Sequence, residues 1–216
     1  MNQVLKFSEL LIAKLCHDLS GPIGALCNAV EFLELDGMGD GAGKTNEIIT
    51  SNINILANQL KFFRYVYASS SENYHEVDIL GIEEVTRSFF AHSKITVSFD
   101  NEKTGKDYVQ LSSRGSKLVM LLVYLASKSL LYGGQINVKL SKGIDGSKSV
   151  TIQAKSSKKI RQFEAYQTIF GASGGDKIEP KLDDIVAYKA ALLMDEMKTL
   201  IAVEQLEKLI RFNFKI

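Results

Sequence analysis

From Phe7 to Leu35 the apolar residues recur at a helical period. Ile12, Cys16, Leu19, Ile23, Leu26, Val30 and Leu33 step by four and three, a heptad seam held over about three heptads. A second stripe, Leu11, Leu15, Pro22, Ala25 and Ala29, widens it, and a helix with two adjacent apolar stripes belongs in a bundle. Pro22 lacks a backbone N–H and is expected to bend the helix locally. Asp36 to Lys44 (DGMGDGAGK) breaks the pattern, and Gly37 suits the left-handed conformation that ends a helix. A new stripe, Ile49, Ile53, Leu56, Leu60, Phe63 and Tyr67, predicts a second helix of similar length. Two such helices joined by a short glycine-rich loop make an antiparallel hairpin. A lone hairpin cannot bury both stripes, so the pattern predicts a homodimeric four-helix bundle.

Ala68 to Glu76 is small and polar and predicts a linker, dividing the chain into 1–72 and 73–216. Beyond it the spacing predicts a helix near Asp78–His92, a strand at Lys94–Phe99 and a short strand at Tyr108–Leu111. Ser116–Leu131 is apolar nearly all round, the mark of a buried helix, and Gly133-Gly134 ends it. Gln135–Leu140 and Ser149–Ala154 alternate as a hairpin turned at Asp145-Gly146. Helices follow at Lys159–Phe170 and Lys181–Met197, then strands near Thr199–Val203 and Lys208–Phe214. The expected class is α+β: a helical hairpin followed by an α/β sandwich of helices on a sheet.

Charge narrows the functions. Lys+Arg number 26 against 25 Asp+Glu, a net charge of +1, which argues against a nucleic-acid partner. Met1 to Glu9 lacks the basic start and unbroken apolar core of a signal peptide, and no uninterrupted apolar run reaches the ~18–20 residues of a membrane span. Cys16 and Cys27 lie ~16 Å apart along a helix, too far to bridge. They read as small packing residues of a reducing, cytoplasmic compartment. Three histidines and two cysteines offer no metal-ligand spacing.

Two stretches carry candidate chemistry. Gly37 to Thr45 (GMGDGAGKT) approximates a phosphate-binding loop, but that pattern requires glycine where Met38 stands. The stretch also follows a helix rather than a strand, so it reads as a hairpin turn. The other candidate is His17. The ~100° advance per residue carries it off the Cys16–Leu19 seam toward solvent. Imidazole is substantially neutral near pH 7, and its free lone pair can attack phosphorus. Asp18 beside it can orient the ring or take its proton. His75 and His92 read as incidental.

Cys16-His17-Asp18-Leu19-Ser20-Gly21-Pro22, followed by Ile23-Gly24-Ala25 and Asn28, resembles the His-acid-Leu-x-x-Pro box of histidine kinases. It is similar, more closely, to that of ChpT-like bacterial histidine phosphotransferases, which pair a dimerising hairpin with a degenerate kinase ATPase domain. Leu118 to Val138 resembles the helix and following strand of that ATPase fold, and Glu179 through Leu193 the family's C-terminal part. A kinase of this kind carries Asn-x-x-x-Asn-Ala-x-Lys to hold magnesium. Aligning Ala126-Ser127-Lys128 puts Leu121 and Leu125 at the two asparagines, and neither offers the oxygen a hard cation needs. At the Asp-x-Gly-x-Gly positions of the adenine site stand Ser156, Lys158 and Ile160. Gly171 to Gly175, without aspartate or asparagine, reads as an ordinary loop.

The resemblance therefore implies a phosphotransferase that uses no ATP and has no cofactor or metal of its own. Phosphate would pass from a receiver-domain aspartate of a hybrid histidine kinase to His17, and on to the receiver of a response regulator. Magnesium would sit in the receiver. Lys14, Asp18, Ser20, Gly21, Gly24 and Asn28 would line the docking face, with Gly21 and Gly24 allowing close approach and Lys14 neutralising a phosphoryl oxygen. Gly21 also occupies the position where phosphatase-competent relatives carry Thr or Asn, so no phosphatase activity is assigned. An ATP-dependent kinase core and a non-catalytic dimeric scaffold are the alternatives.

Overall fold

The computed structural model describes residues 3–36, 42–68, 79–101, 103–104, 107–143, 146–161 and 181–216. Two long helices come first, α1 (Gln3–Asp36) and α2 (Ala42–Tyr67), packed along each other. Helix α1 runs unbroken through Pro22. The predicted turn at Gly37 lies outside the described residues, as do most of the linker and His75.

The rest of the chain builds a mixed sheet with helices on one face. After α3 (Ile79–Phe90) come β1 (Ile95–Asn101), the short pair β2 (Lys103–Thr104) and β3 (Asp107–Tyr108), and α4 (Ser113–Ser129). Then follow β4 (Gly134–Lys142), β5 (Lys148–Lys155), α5 (Ile185–Met197), β6 (Ile201–Leu206) and β7 (Leu209–Lys215). The five-stranded order is β1-β4-β5-β7-β6. Only β1 and β4 pair in parallel, as the crossover through α4 requires, and the other pairings are antiparallel.

Ile136, Val138 and Leu140 of β4, Val150, Ile152 and Ala154 of β5, and Ile210, Phe212 and Phe214 of β7 all point to one buried face. Against them lies α4, which is buried from Leu118 to Ala126 without interruption because α5 covers its other side. Ser112 caps α4, its hydroxyl accepting from the Gly115 amide at 3.1 Å. After α4 the chain reverses tightly: Gly133 adopts φ +90°, and a Cβ there would lie 2.4 Å from the Lys94 carbonyl oxygen. Glycine is required at that position to let β4 enter beside β1.

The sequence pattern places these elements well, with informative differences. Lys159 to Arg161 is not helical: the Ile160 amide donates to the Glu207 carbonyl and Arg161 to that of Ser129, binding the segment to its neighbours with Ile160 buried. The remainder of the helix expected to reach Phe170 lies outside the described residues, as does the Gly171–Gly175 loop. The short strand expected at Tyr108–Leu111 is met only at Tyr108, in β3, and 109–111 is loop, with the Val109 amide donating to Asn101 Oδ1.

The predicted seam of α1 divides. Leu19, Leu26 and Leu33 are half-buried, and Ala29 is buried. Ile12, Cys16, Ile23, Cys27 and Val30 are exposed on a single chain, and so are Ile53 and Leu60 of α2. One hairpin and one sandwich cover only part of two wide apolar stripes. By length and mean hydropathy the Val4–Leu35 part of α1 also fits a membrane span. Unbroken apolar runs miss this, because Lys14 and Asp18 interrupt them. Asp18 ties one face of the helix to α4 through Tyr124.

Candidate functional site

His17 stands near the middle of α1 with its side chain 77% exposed. Leu15 and Leu19 flank it and pack against the core, and the helical turn between them carries the imidazole outward. The predicted exposure of His17 holds. Asp18 does not share it: its side chain is only 15% exposed.

The Asp18 carboxylate is the best-tied group of the region. Oδ1 pairs with Lys14 Nζ one helical turn earlier and lies 3.3 Å from His17 Nδ1. Oδ2 accepts a hydrogen bond at 3.0 Å from the hydroxyl of Tyr124, on α4. Burial alone pushes the Asp18 carboxyl up, but Lys14, Tyr124 and His17 outweigh it and hold the group below the ordinary carboxylate value. The same charge acts outward: Tyr67 is raised far above an ordinary phenol, first by its burial and then by Asp18.

Lys14 needs a correction. Its side chain is 14% exposed and committed to Asp18, so it is not a free cation awaiting a phosphoryl oxygen. The ion pair forms because the two residues share one helix face and both are partly desolvated. Ser20, Gly21, Gly24 and Asn28 are exposed as expected. Ser20 Oγ donates to the Cys16 carbonyl, which turns the hydroxyl back onto the helix. A Cβ on Gly21 or Gly24 would meet nothing within 4 Å, so both leave the surface open around His17.

Three more residues stand near the site: Tyr124 and Lys128, to which the sequence assigned no part in it, and His92, which read as incidental. With Asp18 they line a cavity of about 280 Å3 between α1, α2, α3 and α4, floored by Phe63 and Phe89. Lys128 Nζ sits 4.5 Å above the Tyr124 ring. Desolvation first, then the charge of Lys14, lowers its pKa, with Asp18 opposing. Tyr124 was legible only as part of a buried helix. Its partner lies 106 residues away, and no local pattern connects them.

The positions that would hold nucleotide in a kinase have other occupations here. Leu121 and Leu125 are fully buried in the core. The Ser156 hydroxyl donates to the Gly133 carbonyl and accepts from the Lys158 amide, while Lys158 lies over the Tyr132 ring. Ile160 is buried. Among the described residues no group of three or more His, Cys, Asp or Glu is placed to hold a metal.

Residues 81–208 match the histidine phosphotransferase C-terminal domain family. The chain belongs to this family. The match runs from α3 to β6, stops before β7, and does not include His17, which α1 supplies from outside it. The protein phosphotransferase ChpT of Brucella abortus (strain 2308) is 24% identical over 136 residues, which is 63% of this chain and 61% of that protein. The alignment thus spans less than two thirds of that relative's length. A solved bacterial phosphotransferase structure superimposes with a TM-score of 0.80 at 21% identity, covering 97% of this chain and 96% of its own. The histidine kinase AdeS of Acinetobacter baumannii gives a TM-score of 0.50 at 16% identity, over 93% and 96% of the two chains. These two structural likenesses are likenesses of fold: helices beside a mixed five-stranded sheet, shared by the phosphotransferase family and histidine kinases.

Proposed function

We propose that this protein relays a phosphoryl group between receiver-domain aspartates through His17, within a multistep two-component pathway. The observation that carries the reading is the pairing of an exposed imidazole with a fixed, ionised acid at its Nδ1 edge. With Nδ1–H directed at Asp18, the lone pair stands on the outward Nε2. Attack on a receiver's acyl phosphate forms the N–P bond there while the P–O bond breaks onto the departing aspartate. The ring's new positive charge faces Asp18. The N–P bond is labile, so the reverse step passes the group to a second receiver.

Leu121 and Leu125 in the core, and Ser156 and Ile160 in backbone-bonded positions, support a degenerate ATPase-like unit at 73–216 that uses no ATP. They count against the kinase alternative. Magnesium for each transfer would come with the receiver's own acidic pocket. Ser20, Gly21, Gly24 and Asn28 offer the surface on which a receiver docks. The exposed stripe of Ile12, Ile23, Val30, Ile53 and Leu60 supports a homodimer in which the 1–72 hairpins form a four-helix bundle. Such a dimer would work in the cytoplasm, where its receivers are.

The test is phosphotransfer from 32P-labelled receivers of the source cell to the wild type and to His17→Ala. Acid-labile label on the wild type alone is expected. Equal labelling of both, or labelling of neither by any receiver, would overturn the relay and leave the scaffold reading.

A further inference from the structure

Tyr124 is fixed with unusual completeness for a residue that reaches another helix. Its ring is 4% exposed. Phe62 and Phe89 hold it at centroid distances of 6.2 and 5.8 Å, and Lys128 caps its face. A ring so packed can present its hydroxyl in few directions, and the direction it takes ends on Asp18 Oδ2.

The other two groups that hold Asp18, Lys14 and His17, both sit on α1 and cannot by themselves set the carboxylate's plane against the rest of the protein. A lysine is a point charge on a flexible stem and tolerates many carboxylate orientations. A hydrogen bond from a rigid phenol to the opposite oxygen does not.

We infer that Tyr124 is a positioning residue for phosphoryl transfer: by holding Asp18 Oδ2 from the sandwich, it keeps Oδ1 against His17 Nδ1 and the nucleophilic lone pair on Nε2. The inference rests on the relay reading of His17. It gives α4, in the second half of the chain, a part in the chemistry of the first half.

The test uses the full-length protein and Tyr124→Phe, which removes one oxygen and leaves the ring in its packing. Phosphoramidate serves as phosphodonor, because it is small and needs no docking surface: the His17 N–P bond forms as the donor's P–N bond breaks and ammonia leaves. Tyr124→Phe is expected to slow phosphohistidine formation about tenfold, the effect of losing a hydrogen bond to a charged group. Long-range 1H–15N spectra of His17 should show the Nδ1–H tautomer dominant in the wild type and reduced in the variant. Asp18→Asn should be slower still, and adding Tyr124→Phe to it should change nothing further. Wild-type rate and tautomer in Tyr124→Phe, or additive losses in the double variant, would overturn the inference. If Tyr124→Phe unfolds by circular dichroism, Phe89→Leu, which loosens the Tyr124 ring and keeps its hydroxyl, decides instead: an unchanged His17 tautomer ratio overturns the inference and a reduced one supports it. Failure of the relay is read separately, from receiver labelling of His17→Ala.

Discussion

The hydroxyl of Tyr124 lies 3.0 Å from Oδ2 of Asp18, joining a helix of the sandwich to the acid beside His17 across 106 residues of sequence. Asp18 is one of the contacts between the hairpin and the sandwich, and its ionised state depends on groups from both.

That state has a pH consequence. Asp18 has a folded pKa below its ordinary 3.8, so its contribution to stability is fully present above that value. It is lost as pH falls through the lowered folded value. In a His17→Ala background, where imidazole titration drops out, the urea midpoint should exceed that of the same protein carrying Asp18→Asn. The difference should stay level from pH 7 to about 4.5 and shrink below about pH 4. A difference that instead grows on acidification would show that Asp18 is not held ionised by Lys14 and Tyr124.

Gly21 and Gly24 separate folding from docking. Both are helical, and a methyl group on either meets open space. Gly24→Ala should therefore stabilise the protein by up to about 1 kcal/mol, through higher helix propensity. The same change should slow transfer from a receiver while leaving phosphoramidate labelling of His17 unchanged. Thermal unfolding and the two labelling assays check this, and equal receiver transfer would remove these glycines from the docking face.

Leu121 and Leu125 are core residues, and asparagine at either should be harmful. Leu121→Asn and Leu125→Asn each lose apolar contact and bury an amide with no assigned partner. Each should cost about 3–5 kcal/mol. Urea denaturation measures the loss. A cost below about 1 kcal/mol would mean that this stretch retains room for polar ligands.

The exposed stripe predicts association. Ile23→Glu combined with Ile53→Glu puts charge on both helices of that face. Light scattering should report a dimer for the wild type and a monomer for the variant, with circular dichroism preserved. A monomeric wild type would remove the bundle.

Periodicity alone determined much of this protein. Spacings of three and four marked α1 and α2, alternation marked β4, β5 and β7, and an all-round apolar run marked α4 as buried. These patterns are local, because a helix face or a strand face repeats within a few residues. The His17 box was legible for the same reason, and so was the exposure of His17, one step off its seam. Tertiary structure alone decided what surrounds that histidine. Lys14 looked like a solvent cation and is a half-buried partner of Asp18, since only packing determines which charges lose water. Asp18 looked exposed and is gripped from α4, and Tyr124 looked like one more core aromatic. A contact spanning 106 residues leaves no periodic trace in either segment, because its specificity lies in how a sheet, a buried helix and a hairpin are stacked rather than in the spacing of residues along the chain.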